Sequence, residues 1–400
     1  MEQKKVIQYI DDFILFCFCV LVIFLPIAHT ESIRSFSFGI PAALWIVKMI
    51  IKRKWLFQRT PLDIPILLFT MVAALSLITA VDLRYTADEF QAEWLTGIVL
   101  FYLVVNNFRE EQLKYLLGAL LVGNLLMVSY GIYDFFHRGG LLFDYGVRAR
   151  SLHSGFGTFS TYLIMVMPYL LLAVFYWPNG RYRIFTVILF LLNLLALYLT
   201  QSRGAWVAMA ALIFLLGWRF LPKKVLFLSA GVAAIAIFLF APEKIIKHHT
   251  VVVAPGAAPA SMETFQARRE LIMFSLERIK ENPFQMLGYG QRSFVKKYRD
   301  FYLQHKGALL WHGHNTFLNM AFQTGLQGLA IFCFLIYKLI KYCHGRAVLE
   351  NSLLPKYFLL ASLLMVITFF VRNLSDDFFI DDSALLFWLL SGAAVSLREG

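Results

Sequence analysis

Residues 184–220 read IFTVILFLLNLLALYLTQSRGAWVAMAALIFLLGWRF. Two apolar runs, 184–200 and 204–220, flank a turn in which only Gln201, Ser202 and Arg203 are polar. A hydrocarbon core of about 30 Å takes about 20 helical residues to cross. Each run comes close to that length, so the stretch reads as a hairpin of two membrane-spanning helices. An arginine so near lipid depth is costly unless it is paired or faces a polar cavity. It could otherwise snorkel to the outer headgroups. Gly204 and Ala205 beside it would let a backbone or a ligand approach closely.

The whole chain repeats this pattern. Of 400 residues 59% are hydrophobic and 16% charged, with 39 Phe and a mean hydropathy of +0.66. A soluble domain carries about 25% charged residues. The composition excludes a disordered chain, a small disulfide scaffold and a typical cytosolic enzyme. Twelve runs are long and apolar enough to read as spans: 13–28, 35–51, 64–80, 92–107, 113–134, 156–177, 184–200, 204–220, 223–241, 313–337, 357–372 and 384–397. The first follows Lys4 and Lys5 but lacks a small-residue cleavage site, so it is expected to be a retained span. The fold expected is all-α and polytopic. Residues 1–241 hold spans one to nine, 242–311 a large partly helical loop, and 312–400 the last three spans.

The formal net charge of +12 fits membrane topology better than nucleic acid. Short segments on the side of the termini carry nineteen Lys and Arg, and short loops on the other side carry seven. The positive-inside rule then places both termini in the cytoplasm and the 242–311 loop outside it. Within that loop, 251–260 is a Pro/Gly-rich linker and 262–281 reads as an amphipathic helix. Phe265, Ile272, Leu276 and Ile279 fall near one face of that helix, Arg268, Arg269 and Arg278 are interspersed, and Pro283 ends it. Leu287-Gly288-Tyr289-Gly290 reads as a turn, and 293–305 as a second helix with aromatic and basic residues. Such helices suit a bilayer surface or a lid over a lipid-phosphate site. Cys17, Cys19, Cys333 and Cys343 show no metal-ligand spacing and read as small apolar side chains.

Candidate chemistry gathers on the outer side. His312 and His314 precede Asn315 where the loop re-enters the membrane. Imidazole titrates near neutral pH and can take a proton from a hydroxyl. Two residues apart, the rings would diverge by about 200° on a helix, which argues against a metal pair. Arg148, Arg150, Arg268 and Arg269 are further outer guanidiniums, which bind phosphate through bidentate forks. Arg203 would join them if the loop folds back. Asp376, Asp377, Asp381 and Asp382 could hold a divalent cation. A solvated acidic loop paired with arginines is the reading preferred. No phosphate loop, zinc-protease helix or nucleophile elbow is present.

In order along the chain, four elements resemble those of the O-antigen ligase family, whose relatives include O-antigen polymerases. They are Ser202-Arg203-Gly204-Ala205, then Arg268 in the loop helix, then Leu287-Gly288-Tyr289-Gly290. The last is His314-Asn315-Thr316-Phe317-Leu318 followed by Gly325-Leu326-Gln327-Gly328-Leu329. The match is best over 145–330. One departure is Ile272, where the family usually carries Trp four residues after the loop Arg.

The resemblance implies a metal-independent, cofactor-free glycosyltransferase at the periplasmic face of the bacterial inner membrane. Its donor would be a glycan on undecaprenyl diphosphate and its acceptor a sugar hydroxyl of lipid A-core. His314, Arg203 and Arg268 would be catalytic. Arg148, Arg150, Arg203, Arg268 and Arg269 would bind diphosphate, and His312 and Asn315 would lie on the acceptor side. A polymerase using a second lipid-linked glycan is the near alternative. A lipid or polysaccharide transporter would place its ionisable residues near mid-membrane and often repeat its halves; neither is seen here.

Overall fold

The computed structural model describes residues 2–142, 146–153, 155–176, 180–220, 262–304 and 313–397. The expected span at 223–241, the linker at 251–260 and His312 lie outside the described residues. The described residues form helices joined by turns, with no strand among them. In chain order the elements are α1 (Glu2–Phe24), α2 (Glu31–Lys52), α3 (Asp63–Leu75), α4 (Leu83–Glu89), a π-helical turn (Phe90–Leu95) and α5 (Thr96–Asn107). There follow α6 (Leu113–His137), α7 (Phe156–Tyr176), α8 (Gly180–Thr200) and α9 (Arg203–Phe220). After the undescribed stretch come α10 (Met262–Glu281), α11 (Ser293–Lys297), α12 (Arg299–Gln304), α13 (Thr316–Leu349), α14 (Leu353–Arg372) and α15 (Asp381–Ser396). Seven helices among the described residues are long and apolar enough to cross a membrane: α1, α2, α6 with the 3₁₀ turn before it, α7, α8, α13 and α14. The chain is a multi-pass helical membrane protein.

The packing follows from composition. α7 is apolar all round and is buried along most of its length against α8 and α14. The phenylalanines concentrate where α13, α14 and α15 meet. Phe332, Phe370, Phe379 and Phe387 stack edge to face at centroid separations of 5.2 to 5.7 Å. Polar pairs join helices where lipid-like surroundings leave no water. Asn124 and Asn193 exchange amide hydrogen bonds of 2.9 and 2.7 Å between α6 and α8, and Tyr169 meets Ser362 at 2.9 Å between α7 and α14. At the end of the bundle that holds the N-terminus, buried Asp11 pairs with both Lys48 and Arg109.

Two departures from the helix expectations share one cause. The run 64–80 stops being helical at Leu75, and α13 breaks at Gly325, whose φ of 72° and ψ of 174° are open to glycine alone. Both breaks expose backbone groups to the 283–290 segment. Leu287 N–H donates to Phe322 C=O at 2.9 Å, and Gly288 N–H donates to Gln323 C=O at 3.3 Å. Leu326 N–H donates to Pro283 C=O at 2.9 Å. On the other side Val81 N–H donates to Leu287 C=O at 3.0 Å, and Tyr289 N–H donates to Ser76 Oγ at 3.1 Å. The glycine-containing turn is thus laced between α3 and the broken α13. Positive φ at Gly288 (102°) and Gly290 (120°) makes this path possible. The loop helix at 262–281 appears as expected. The second, 293–305, divides at Tyr298, whose ring is packed among Phe274, Phe294 and Phe322.

Candidate functional site

His314 sits just before α13, in the left-handed region with φ 44°. Asn315 caps that helix, accepting from Phe317 N–H (2.8 Å) and Leu318 N–H (3.1 Å), and its amide donates to Leu374 C=O at 3.0 Å. Its side chain is therefore committed to holding the turn. The 373–378 segment wraps the same helix start. Thr316 Oγ1 lies 2.8 Å from Asn373 Oδ1 and 2.6 Å from Asp377 Oδ1, and Asn319 donates to Asp377. This brace brings Asp376 Oδ1 to 3.0 Å from His314 Nδ1. An Nδ1–H donated to that carboxylate leaves the imidazole lone pair on Nε2. Three of the four acidic side chains weighed as metal ligands are engaged otherwise: Asp376 with His314, Asp377 with Thr316 and Asn319, and Asp382 with Arg34.

Arg203 opens α9, and Gln201 before it has φ 53°. Its neighbour Ser202 is buried. The 146–150 segment is tied to this turn, because Ala149 N–H donates to Leu199 C=O (2.9 Å) and Gln201 Nε2 donates to Val147 C=O (2.9 Å). Arg148 is thereby held in electrostatic reach of Arg203 and Arg268. Burial, and then those two like charges, push its pKa down from the ordinary arginine value. The same guanidinium lies 4.5 Å over the Phe156 ring. Arg268 reaches across from α10 and donates to Ser375 C=O at 3.5 Å. The bundle therefore brings Arg148, Arg203 and Arg268 to the end where His314 and Asp376 stand.

The other candidates are placed differently. Arg150 faces Asp134 at 3.7 Å, next to the closer Arg138–Asp134 pair, and is half-exposed. Arg269 is exposed on α10. Three further residues stand here. Asp376 was legible only as part of an acidic run. Gly204 was legible as a small residue of the Ser202-Arg203-Gly204-Ala205 element; a Cβ there would overlap the Ser375 hydroxyl and lie 2.8 Å from Arg372 Nη1. Arg372 itself, at the end of α14, had no local signal.

Gln201 beside Arg203 and His314 itself have positive φ, in the left-handed region, as do Ser151, Asp381, His29 and Arg53 among the described residues. Non-glycine residues in this region carry strain that the surrounding structure must hold, and such strain gathers at functional sites.

Guanidiniums and a His–Asp pair thus lie at one end of a multi-pass helical bundle, an arrangement whose side chains can bind an anion and accept a proton. The model of the O-antigen ligase family matches residues 186–333. The match spans most of α8, then α9, the loop helices and the first part of α13, and is in keeping with the resemblance in the motifs. Arg203, Arg268 and His314 fall inside the match; Arg148, Asp376 and Arg372 fall outside it. No curated protein matches the chain.

Proposed function

We propose that the protein is an O-antigen ligase acting at the periplasmic face of the inner membrane, with both termini cytoplasmic. It transfers a glycan from undecaprenyl diphosphate to a sugar hydroxyl of lipid A-core. The observation that carries this reading is the convergence of Arg148, Arg203 and Arg268 beside the His314–Asp376 pair. Asp376 orients His314, whose Nε2 takes the proton of the acceptor hydroxyl. The acceptor oxygen then bonds to the sugar C1 as the C1–O bond to phosphate breaks. The diphosphate leaves with the electron pair, and fixed guanidiniums stabilise the growing charge. In this reading they supply the stabilisation that a metal ion supplies in other sugar transferases. Direct attack inverts the anomeric centre.

Reconstitution in lipid vesicles with an undecaprenyl-diphosphate glycan and a choice of acceptors tests this. The expected product is glycosylated lipid A-core with inverted configuration, formed equally well after thorough chelation. Transfer only to a second lipid-linked glycan would make the protein a polymerase. Retained configuration would remove direct attack, and loss of activity on chelation would remove the metal-independent step.

A further inference from the structure

Arg372 ends α14 and is 3% exposed. Its Nη1 donates to Ser375 Oγ at 2.8 Å, and its guanidinium lies 4.4 Å over the Phe378 ring. The Nε–H is buried and finds no acceptor among the described residues; the same is true of Arg268 Nε. The two arginines bracket one residue, Arg372 on the hydroxyl of Ser375 and Arg268 on its carbonyl. Gly204, next to Arg203, is the surface against which Arg372 Nη1 and Ser375 rest. Arg268 is in electrostatic reach of both Arg148 and Arg372, Arg148 is in reach of Arg203, and Arg372 rests against Gly204 beside Arg203. The acid within reach of Arg372 is Asp376, which is already bonded to His314. A buried cation whose hydrogens are incompletely accepted costs free energy unless an anion joins it. The helix C-terminus stabilises the cation but offers its Nε–H no partner within the described residues.

We propose that Arg372 is a further anion-binding residue of this site, closing the guanidinium cluster from the membrane side around a diphosphate. The inference rests on the ligase reading and adds a residue that lies outside the matched domain. It also gives Ser375 a purpose. By accepting from Arg372 and presenting its carbonyl to Arg268, Ser375 holds two forks at a fixed separation. The next residue, Asp376, is the one that orients His314. Anion binding and proton transfer would then be carried by adjacent residues of one short turn.

The test measures binding of undecaprenyl diphosphate, undecaprenyl phosphate and inorganic pyrophosphate to purified protein in lipid nanodiscs, for wild type, Arg372→Gln and Arg372→Lys. Hydrogen bonds to a charged group are worth enough that their loss should weaken diphosphate binding at least about tenfold. Arg372→Lys keeps the charge without the fork and should weaken it by at least about fivefold, which keeps the proposal testable if the Gln variant does not fold. Undecaprenyl diphosphate bound by wild type and lost in the variants supports the assignment. Equal affinity of wild type and a folded variant overturns it and leaves the ligase reading intact. Pyrophosphate bound as tightly as the lipid assigns the contact to the diphosphate group itself; undecaprenyl phosphate bound as tightly as the diphosphate overturns the assignment to a diphosphate. A wild type that binds none of the three overturns the proposal together with the ligase reading.

Discussion

Asp376 meets His314 across 62 residues of chain, and it does so because Thr316, Asn319 and Asn315 fasten the 373–378 turn to the start of α13. If the carboxylate sets the imidazole tautomer, Asp376→Asn should lower transfer by on the order of 10²- to 10⁴-fold while the protein remains abundant in the membrane. Assays at matched protein amount decide this, and a wild-type rate would show that Asp376 does not act through His314. Gly204→Ala should also lower transfer sharply, because the new methyl displaces Ser375 and Arg372. Overpacking of this kind costs about 1–3 kcal/mol, so a thermal shift should accompany the loss. An unchanged melting temperature and rate would mean that the turn can retreat. The histidine and the motif arginines were legible because their types and order carry meaning. Asp376 and Arg372 were not, because their partners are set by packing between distant segments.

The helices themselves were largely visible as apolar runs, and eleven of the twelve expected spans coincide with helical segments of the described residues. What periodicity could not show was where helices stop being regular. α3 ends early and α13 breaks because the 283–290 segment supplies hydrogen bonds in place of helical ones. A hydropathy run records burial, and both breaks stay apolar. The Gly-Leu-x-Gly motif is explained at this scale: Gly325 adopts a conformation that other residues avoid at a cost of order 1–3 kcal/mol. Gly325→Ala should lower thermal stability by about that amount and loosen the 283–290 turn, read as faster amide hydrogen exchange at Leu287 and Gly288. Unaltered exchange there would disconnect the break from the loop.

At the scale of the molecule, Arg148, Arg203, Arg268 and the His314–Asp376 pair share one end of an apolar bundle, which is what an interfacial site in a membrane protein requires. The same burial predicts a pH response. His153 is enclosed by Tyr162, Phe159 and Asp382, near Arg34, and burial followed by the Arg34 charge lowers its pKa to about 3. A histidine kept neutral in the fold stabilises above its unfolded pKa of about 6.5 and loses that contribution as pH falls below it. Between pH 7.5 and 5 wild type should lose on the order of 2 kcal/mol that His153→Gln does not lose, measured as the difference between their thermal shifts; parallel shifts would contradict the burial. The net charge of +12 is divided accordingly, most of it on the side assigned to the cytoplasm and a small group of guanidiniums around the site. The most direct test of the whole account is glycan transfer by His314→Ala in vesicles holding undecaprenyl-diphosphate glycan and lipid A-core, at protein abundance matched to wild type. The account predicts a loss of at least about 10²-fold; transfer at the wild-type rate would contradict it.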